Sequence, residues 1–210
     1  NAPIPLQAMK TLVSPPFRIP CVLCAWLLAA PCLTLAQAQP VITNGVLVFA
    51  TTAIRGTSGG DQLDLLSPTN AVAALVLNTN LDRSVLVAAT GLDSLAGDDT
   101  VTNAAGLGAL AGTGAFIPFK ETETLVSASS VGVAGGAGAD FIVNQSSLTA
   151  TSAVYAGVLE LNYLPVDIGQ TNAATESRAA AAGMDAGSGG DTIYNSGDIE
   201  VGAASVTRLD

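Results

Sequence analysis

The chain has no histidine, one tryptophan (Trp26) and three cysteines, Cys21, Cys24 and Cys32, all within the first 32 of 210 residues. Without histidine there is no Ser-His-Asp or Cys-His catalysis and no imidazole-bound metal. With cysteine confined to the N-terminal stretch, the rest of the chain builds neither a zinc cluster nor a disulfide framework. Charged residues are 11% and aromatics 4% of the chain, the former well under the roughly 25% of an average globular protein. Only seven residues are basic against 17 acidic. What the chain has in quantity is small side chains: 36 alanines and 22 glycines carry much of a 49% hydrophobic content. That composition excludes a thick core of large side chains and implies a narrow, stacked structure with a thin interior.

Asn1 is the first residue and Met9 the first methionine, so residues 1–8 read as lying upstream of a start at Met9. Lys10 and Arg18 follow, then an apolar run from Cys21 to Leu35, then Ala36, Gln37 and Ala38. A positive patch, a short apolar run and an A-x-A site are the layout of a secretory signal peptide. The run covers 15 residues and contains Pro31, short of the ~20 residues a spanning helix needs. Residues 1–38 are therefore expected to be upstream sequence and signal peptide, cleaved after Ala38. Cleavage removes two positive charges and takes the formal net charge from −10 to −12, leaving Arg55, Arg83, Lys120, Arg178 and Arg208 against 17 acidic residues. Such a surface repels phosphate backbones, so nucleic acid is not an expected partner. The expected location is secreted or cell surface in a bacterium, with no transmembrane span in the mature chain.

Four segments share one pattern: GTSGGDQL at 56–63, LAGDDTVTN at 95–103, GGAGADFIVN at 135–144 and GSGGDTIYN at 187–195. Glycine stands two residues before Asp61, Asp99, Asp140 and Asp191, and an aliphatic stands two after. In the last three, Asn103, Asn144 and Asn195 stand four after, and Leu107, Leu148 and Ile199 eight after. Glycine turns the backbone through positive φ at low steric cost. Asp-x-aliphatic-x-Asn then reads as a short strand with one inward aliphatic, closed by a second turn. Turn, short strand, turn, strand is the pattern of a stacked repeat in which no rung buries its own face alone. The fold class expected is all-β, a parallel β-solenoid with Gly-Asp corners: residues 39–55 as N-terminal strand or cap, and 56–210 as degenerate repeats.

Successive aspartates are 38, 41 and 51 residues apart. These intervals exceed a rung of about 20 residues, so each unit is expected to hold two rungs, or a rung plus an insertion. Strands are expected within 41–50, 71–77, 84–89, 124–133 and 152–164, and from Ile199. Residues 112–123 and 165–178 read as loops or insertions, and 179–182 as a one-turn helix or an Ala-rich strand. The chain ends directly on a repeat, which reads as a fragment of a longer protein.

The GGxGxD form at 135–140 resembles the calcium-binding repeat of the repeats-in-toxin (haemolysin-type) family, and the form at 191–199 resembles bacterial surface β-solenoid and autotransporter-passenger repeats. The first resemblance implies Ca²⁺ held by the carboxylates of Asp61, Asp99, Asp140 and Asp191 and by carbonyls around Gly59, Gly97, Gly138 and Gly189. Such hard oxygen ligands suit Ca²⁺. In that family the sites are shared between adjacent short repeats; here the motifs are far apart, so two units must be brought side by side. The bland alternative has the aspartates capping turns by accepting backbone N–H bonds, and the asparagines stacking as a polar ladder.

No catalytic residues are expected. Asp98 with Asp99, and Glu121 with Glu123, could be read as paired carboxylates for glycoside hydrolysis, but no tryptophan survives cleavage to stack on a sugar. The function expected is a calcium-binding structural or adhesive repeat protein of a bacterial surface, partnered by calcium and by surface or matrix polymers or its own copies. A metal-free β-solenoid stalk is the alternative, and a β-helix enzyme acting on polysaccharide comes third.

Overall fold

A computed structural model describes residues 41–43, 46–77, 84–117, 124–158 and 175–209. The signal peptide and its cleavage site lie outside the described residues. The described chain is all-β with no helix. It opens with a short strand, β1 (Val41–Thr43), and continues as four strand triplets, here called tiers. Tier 1 is β2 (Val46–Arg55), β3 (Gln62–Leu65) and β4 (Thr69–Leu77). Tier 2 is β5 (Val85–Asp93), β6 (Thr100–Asn103) and β7 (Leu107–Ile117). Tier 3 is β8 (Thr124–Ala134), β9 (Phe141–Asn144) and β10 (Leu148–Val158). Tier 4 is β11 (Thr175–Asp185), β12 (Thr192–Asn195) and β13 (Ile199–Leu209).

Each tier gives one strand to each of three sheets. Sheet I runs β1-β2-β5-β8-β11, sheet II β3-β6-β9-β12 and sheet III β4-β7-β10-β13. All pairs are parallel except β1 with β2. The register offset is the same in every sheet. Tier 1 pairs with tier 2 at 38 residues, as in Leu47↔Val85, Leu63↔Val101 and Thr69↔Leu107. Tier 2 pairs with tier 3 at 41, as in Val85↔Val126, Val101↔Ile142 and Leu107↔Leu148. Tier 3 pairs with tier 4 at 51, as in Val126↔Ser177, Ile142↔Ile193 and Leu148↔Ile199. Each interval between motif aspartates is thus one tier, not two rungs.

The interior has two parts. Between sheets I and III, Val85, Val87 and Val126 face Ala71, Ala73, Ala109 and Ala111. Valine opposite alanine makes a thin layer, which is why so apolar a chain carries so few large side chains. Where all three sheets meet, Leu92, Val101, Leu107, Val133, Ile142 and Leu148 fill a wider corner. Each stabilises by about 1.5–3 kcal/mol when fully buried. One polar pair crosses the layer: Ser152 Oγ lies 3.0 Å from Ser130 Oγ and donates to the Ala180 carbonyl at 2.6 Å, joining sheet III to sheet I.

Several expected boundaries move. Residues 112–117, read as loop, belong to β7, and 175–178 belong to β11. Residues 179–182 are strand, also in β11. The expected strand at 152–164 begins earlier, at Leu148, and its last residues, 159–164, lie outside the described residues, as do 118–123 and 165–174. Short strands in the Asp-x-aliphatic-x-Asn segments, and the strand starting at Ile199, stand where the sequence places them.

Candidate functional site

The two corners that flank sheet II hold the residues singled out by sequence. At the first corner the chain leaves sheet I and turns into sheet II. Gly97, Gly138 and Gly189 turn it there with φ of 121°, 146° and 152°, values that L side chains rarely adopt. The turns are bonded tier to tier: the Gly97 N–H donates to the Ala137 carbonyl at 2.8 Å and the Gly138 N–H to the Ser188 carbonyl at 2.9 Å.

Asp61, Asp99, Asp140 and Asp191 follow two residues later and form one column. The Asp61 N–H donates to Asp99 Oδ1 at 2.7 Å, the Asp99 N–H to Asp140 Oδ1 at 3.0 Å and the Asp140 N–H to Asp191 Oδ1 at 3.0 Å. Each carboxylate therefore holds the backbone of the tier before it. Hydrogen bonds from a backbone N–H to a carboxylate are among the stronger kind. Asp99 and Asp140 are 1% and 2% exposed, and their Oδ2 atoms have no hydrogen-bond partner among the described residues. At the start of the column, Asp61 Oδ2 accepts the Thr57 N–H at 2.5 Å, and the Thr57 hydroxyl reaches both carboxylate oxygens.

The second corner carries the asparagine column. Asn103 Nδ2 donates to Asn144 Oδ1 at 2.6 Å, and Asn144 Nδ2 to Asn195 Oδ1 at 2.7 Å. Asn103 Oδ1 accepts the Gly106 N–H, so the same side chain shapes its own turn. The polar ladder expected from sequence is present.

The fold thus brings all four aspartates and their glycines into one column from positions 38 to 51 residues apart. Of the carbonyls implied by the resemblance, those of Gly97 and Gly138 lie against the glycine of the next tier. A Cβ on Gly138 would overlap the Gly97 carbonyl oxygen, and one on Gly189 would overlap that of Gly138. These carbonyls are aimed along the stack at the next tier's glycine, and Oδ1 of Asp99, Asp140 and Asp191 is occupied by backbone N–H. Calcium needs about six to eight oxygens around it. Among the described residues no group of three or more acidic, histidine or cysteine side chains is placed to hold a metal. What the column leaves open is the pair of buried Oδ2 atoms of Asp99 and Asp140.

The Asp98 and Asp99 side chains part company: Asp98 is exposed and its Oδ1 accepts the Ala139 N–H at 2.8 Å, whereas Asp99 is buried. Glu121 and Glu123 lie outside the described residues. Two contributors were not legible as such. Thr57 closes the first aspartate, a role its place four residues before Asp61 could have signalled. Leu95 takes φ 76°, where tiers 3 and 4 have Gly136 and Gly187. Among the described residues no helix is long and apolar enough to cross a membrane. Compared with known proteins, the chain matches no family model, no curated protein and no solved structure.

Proposed function

We propose that this chain is a stretch of parallel β-solenoid serving as a structural or adhesive element of an exported bacterial surface protein, with no catalytic activity of its own. One observation supports this above all: the offsets of 38, 41 and 51 residues recur unchanged in all three sheets. A stack in which every tier repeats the one before is a scaffold whose length scales with tier number, and each tier depends on its neighbours for burial. In this reading the aspartates are locks between tiers, and the partners are surface or matrix polymers. Export through the leader is part of the proposal; N-terminal sequencing of the exported chain should begin at Gln39.

A second reading keeps calcium, and the orphaned Oδ2 atoms of Asp99 and Asp140 favour it. Thermal melting of the exported chain in chelator, then in millimolar CaCl₂, separates the two. A scaffold locked by hydrogen bonds melts at the same temperature in both, and Asp99→Asn and Asp140→Asn, which keep Oδ1 as acceptor, melt no lower than the parent. Calcium bound only to the folded state adds about 2.7 kcal/mol at 100 times its Kd. A calcium-raised midpoint that both Asn variants abolish transfers the column to metal binding.

A further inference from the structure

A strand sends alternate side chains to opposite faces of its sheet. One face of sheet III lines the thin core, where Ala109, Ala111, Ala150 and Val154 are buried. The residues between them form an outer face on the flank of the stack, which further tiers would lengthen and not cover. Strands β4, β7 and β10 contain no charged residue, in a chain with 17 acidic and seven basic ones. Sheet I instead bears ion pairs of Arg55 with Asp93 and of Arg178 with Glu176.

The outer face of sheet III has a regular relief. Its central column is small throughout, with Ala74, Gly112, Ala153 and Ala204 in register. Two residues to either side of that column, a larger residue is matched by a smaller one. In tier 2 these are Leu110 and Gly114, in tier 3 Tyr155 and Thr151, and in tier 4 Val206 and Gly202.

We propose that two copies of this chain pack sheet III on sheet III, about a two-fold axis that runs along the central column. Such an axis sets each tier against the same tier of the second copy and exchanges the two sides of the column. Leu110 then fills the hollow over Gly114 of the second copy, Tyr155 lies over Thr151 and Val206 over Gly202. The small central column lets the two sheets approach closely. Four strands about 4.8 Å apart, up to 11 residues long at about 3.3 Å each, give a face of roughly 700 Å². Two such faces cover roughly 1,400 Å² in total, inside the roughly 1,200–2,000 Å² of a specific protein interface. Charge points the same way. Copies of so acidic a chain repel each other wherever carboxylates meet, and in tiers 1 to 3 this face presents none.

The inference deepens the scaffold reading and rests on it, and the test separates the two. Sedimentation of the exported chain at about 50 μM should show a dimer, since interfaces of this size hold at micromolar concentration or below. Thr151→Glu and Tyr155→Lys should each weaken the dimer roughly tenfold or more. The double variant should restore it, because across the axis the two new charges meet. Within one chain they are four residues apart on a strand, about 13 Å, too far to pair. Leu86→Lys, at an exposed position of sheet I between buried Val85 and Val87, should leave the dimer intact. Circular dichroism of every variant confirms its strands. A parent that is monomeric with its strand signal intact overturns the pairing and leaves the scaffold standing; a parent without that signal overturns both. A dimer dissolved by Leu86→Lys, or a folded double variant that stays monomeric, overturns the pairing as well.

Discussion

Asn144 shows how much one side chain can do in a stack. It accepts from Asn103 and donates to Asn195, so removing it breaks the ladder on both sides inside a buried corner. Asn144→Ala is expected to cost about 2–3 kcal/mol, since unmade buried hydrogen bonds carry the desolvation penalty. Asn195→Ala, at the exposed end, should cost about 1 kcal/mol or less. Urea denaturation followed by circular dichroism reads both; equal losses would show that the column does not act through stacking. Leu95 makes the opposite case. It holds a left-handed φ of 76° where its counterparts are glycine, a strain of roughly 1–2 kcal/mol for an L residue. Leu95→Gly should therefore gain up to about 1 kcal/mol once glycine's added freedom in the unfolded chain is set against it. A destabilised Leu95→Gly would mean that the leucine side chain matters more than its backbone.

The strands were legible in unequal measure, and the reason lies in their side chains. Strands β6, β9 and β12 could be read because an aspartate, one aliphatic and an asparagine mark their ends and inward position. Strand β7 was not read from the sequence: Ala109, Ala111 and Ala115 are buried, and Gly108, Gly112 and Gly114 take positions of the opposite parity. Alanine and glycine at alternating positions leave no period-2 contrast in hydropathy, and both are weak strand formers. The polar run from Thr175 to Arg178 hid the start of β11, and a tier of 38 or more residues exceeds a rung of about 20, which made it read as two rungs or a rung plus an insertion. Column neighbours were beyond reach, since the calcium reading turned on which way carbonyls and carboxylates point. Close packing between strands supplies the test at this scale. A Cβ on Gly132 of β8 would lie 2.5 Å from the Gly183 carbonyl oxygen of β11 and 2.6 Å from Leu148 Cδ2. Gly132→Ala should cost about 1–3 kcal/mol, as overpacking does. Gly190→Ala, with nothing within 4 Å, should leave the urea midpoint unmoved, and equal midpoints for the two would refute the close approach.

For the molecule as a whole, the long interval from tier 3 to tier 4 is set by the connection and not by the strands. Seven residues join β4 to β5 and six join β7 to β8, but 16 join β10 to β11, which accounts for the ten-residue step from 41 to 51. Deleting ten residues from 159–174 should preserve the stack and gain roughly 1 kcal/mol or less from the shorter closure. Circular dichroism and the urea midpoint check it, and a collapsed strand signal would show that those residues contribute more than length. The directional bonding between tiers has a mechanical side as well. Hydrogen bonds that join one tier to the next lie along the stacking direction, while the chain visits the tiers strictly in order. Tension between the two ends therefore peels the outermost tier while the others hold. Tiers of 38, 41 and 51 residues release about 130–180 Å of slack each at ~3.4 Å per residue. Under load such a molecule yields in discrete steps, lengthening like a folded strap let out one pleat at a time.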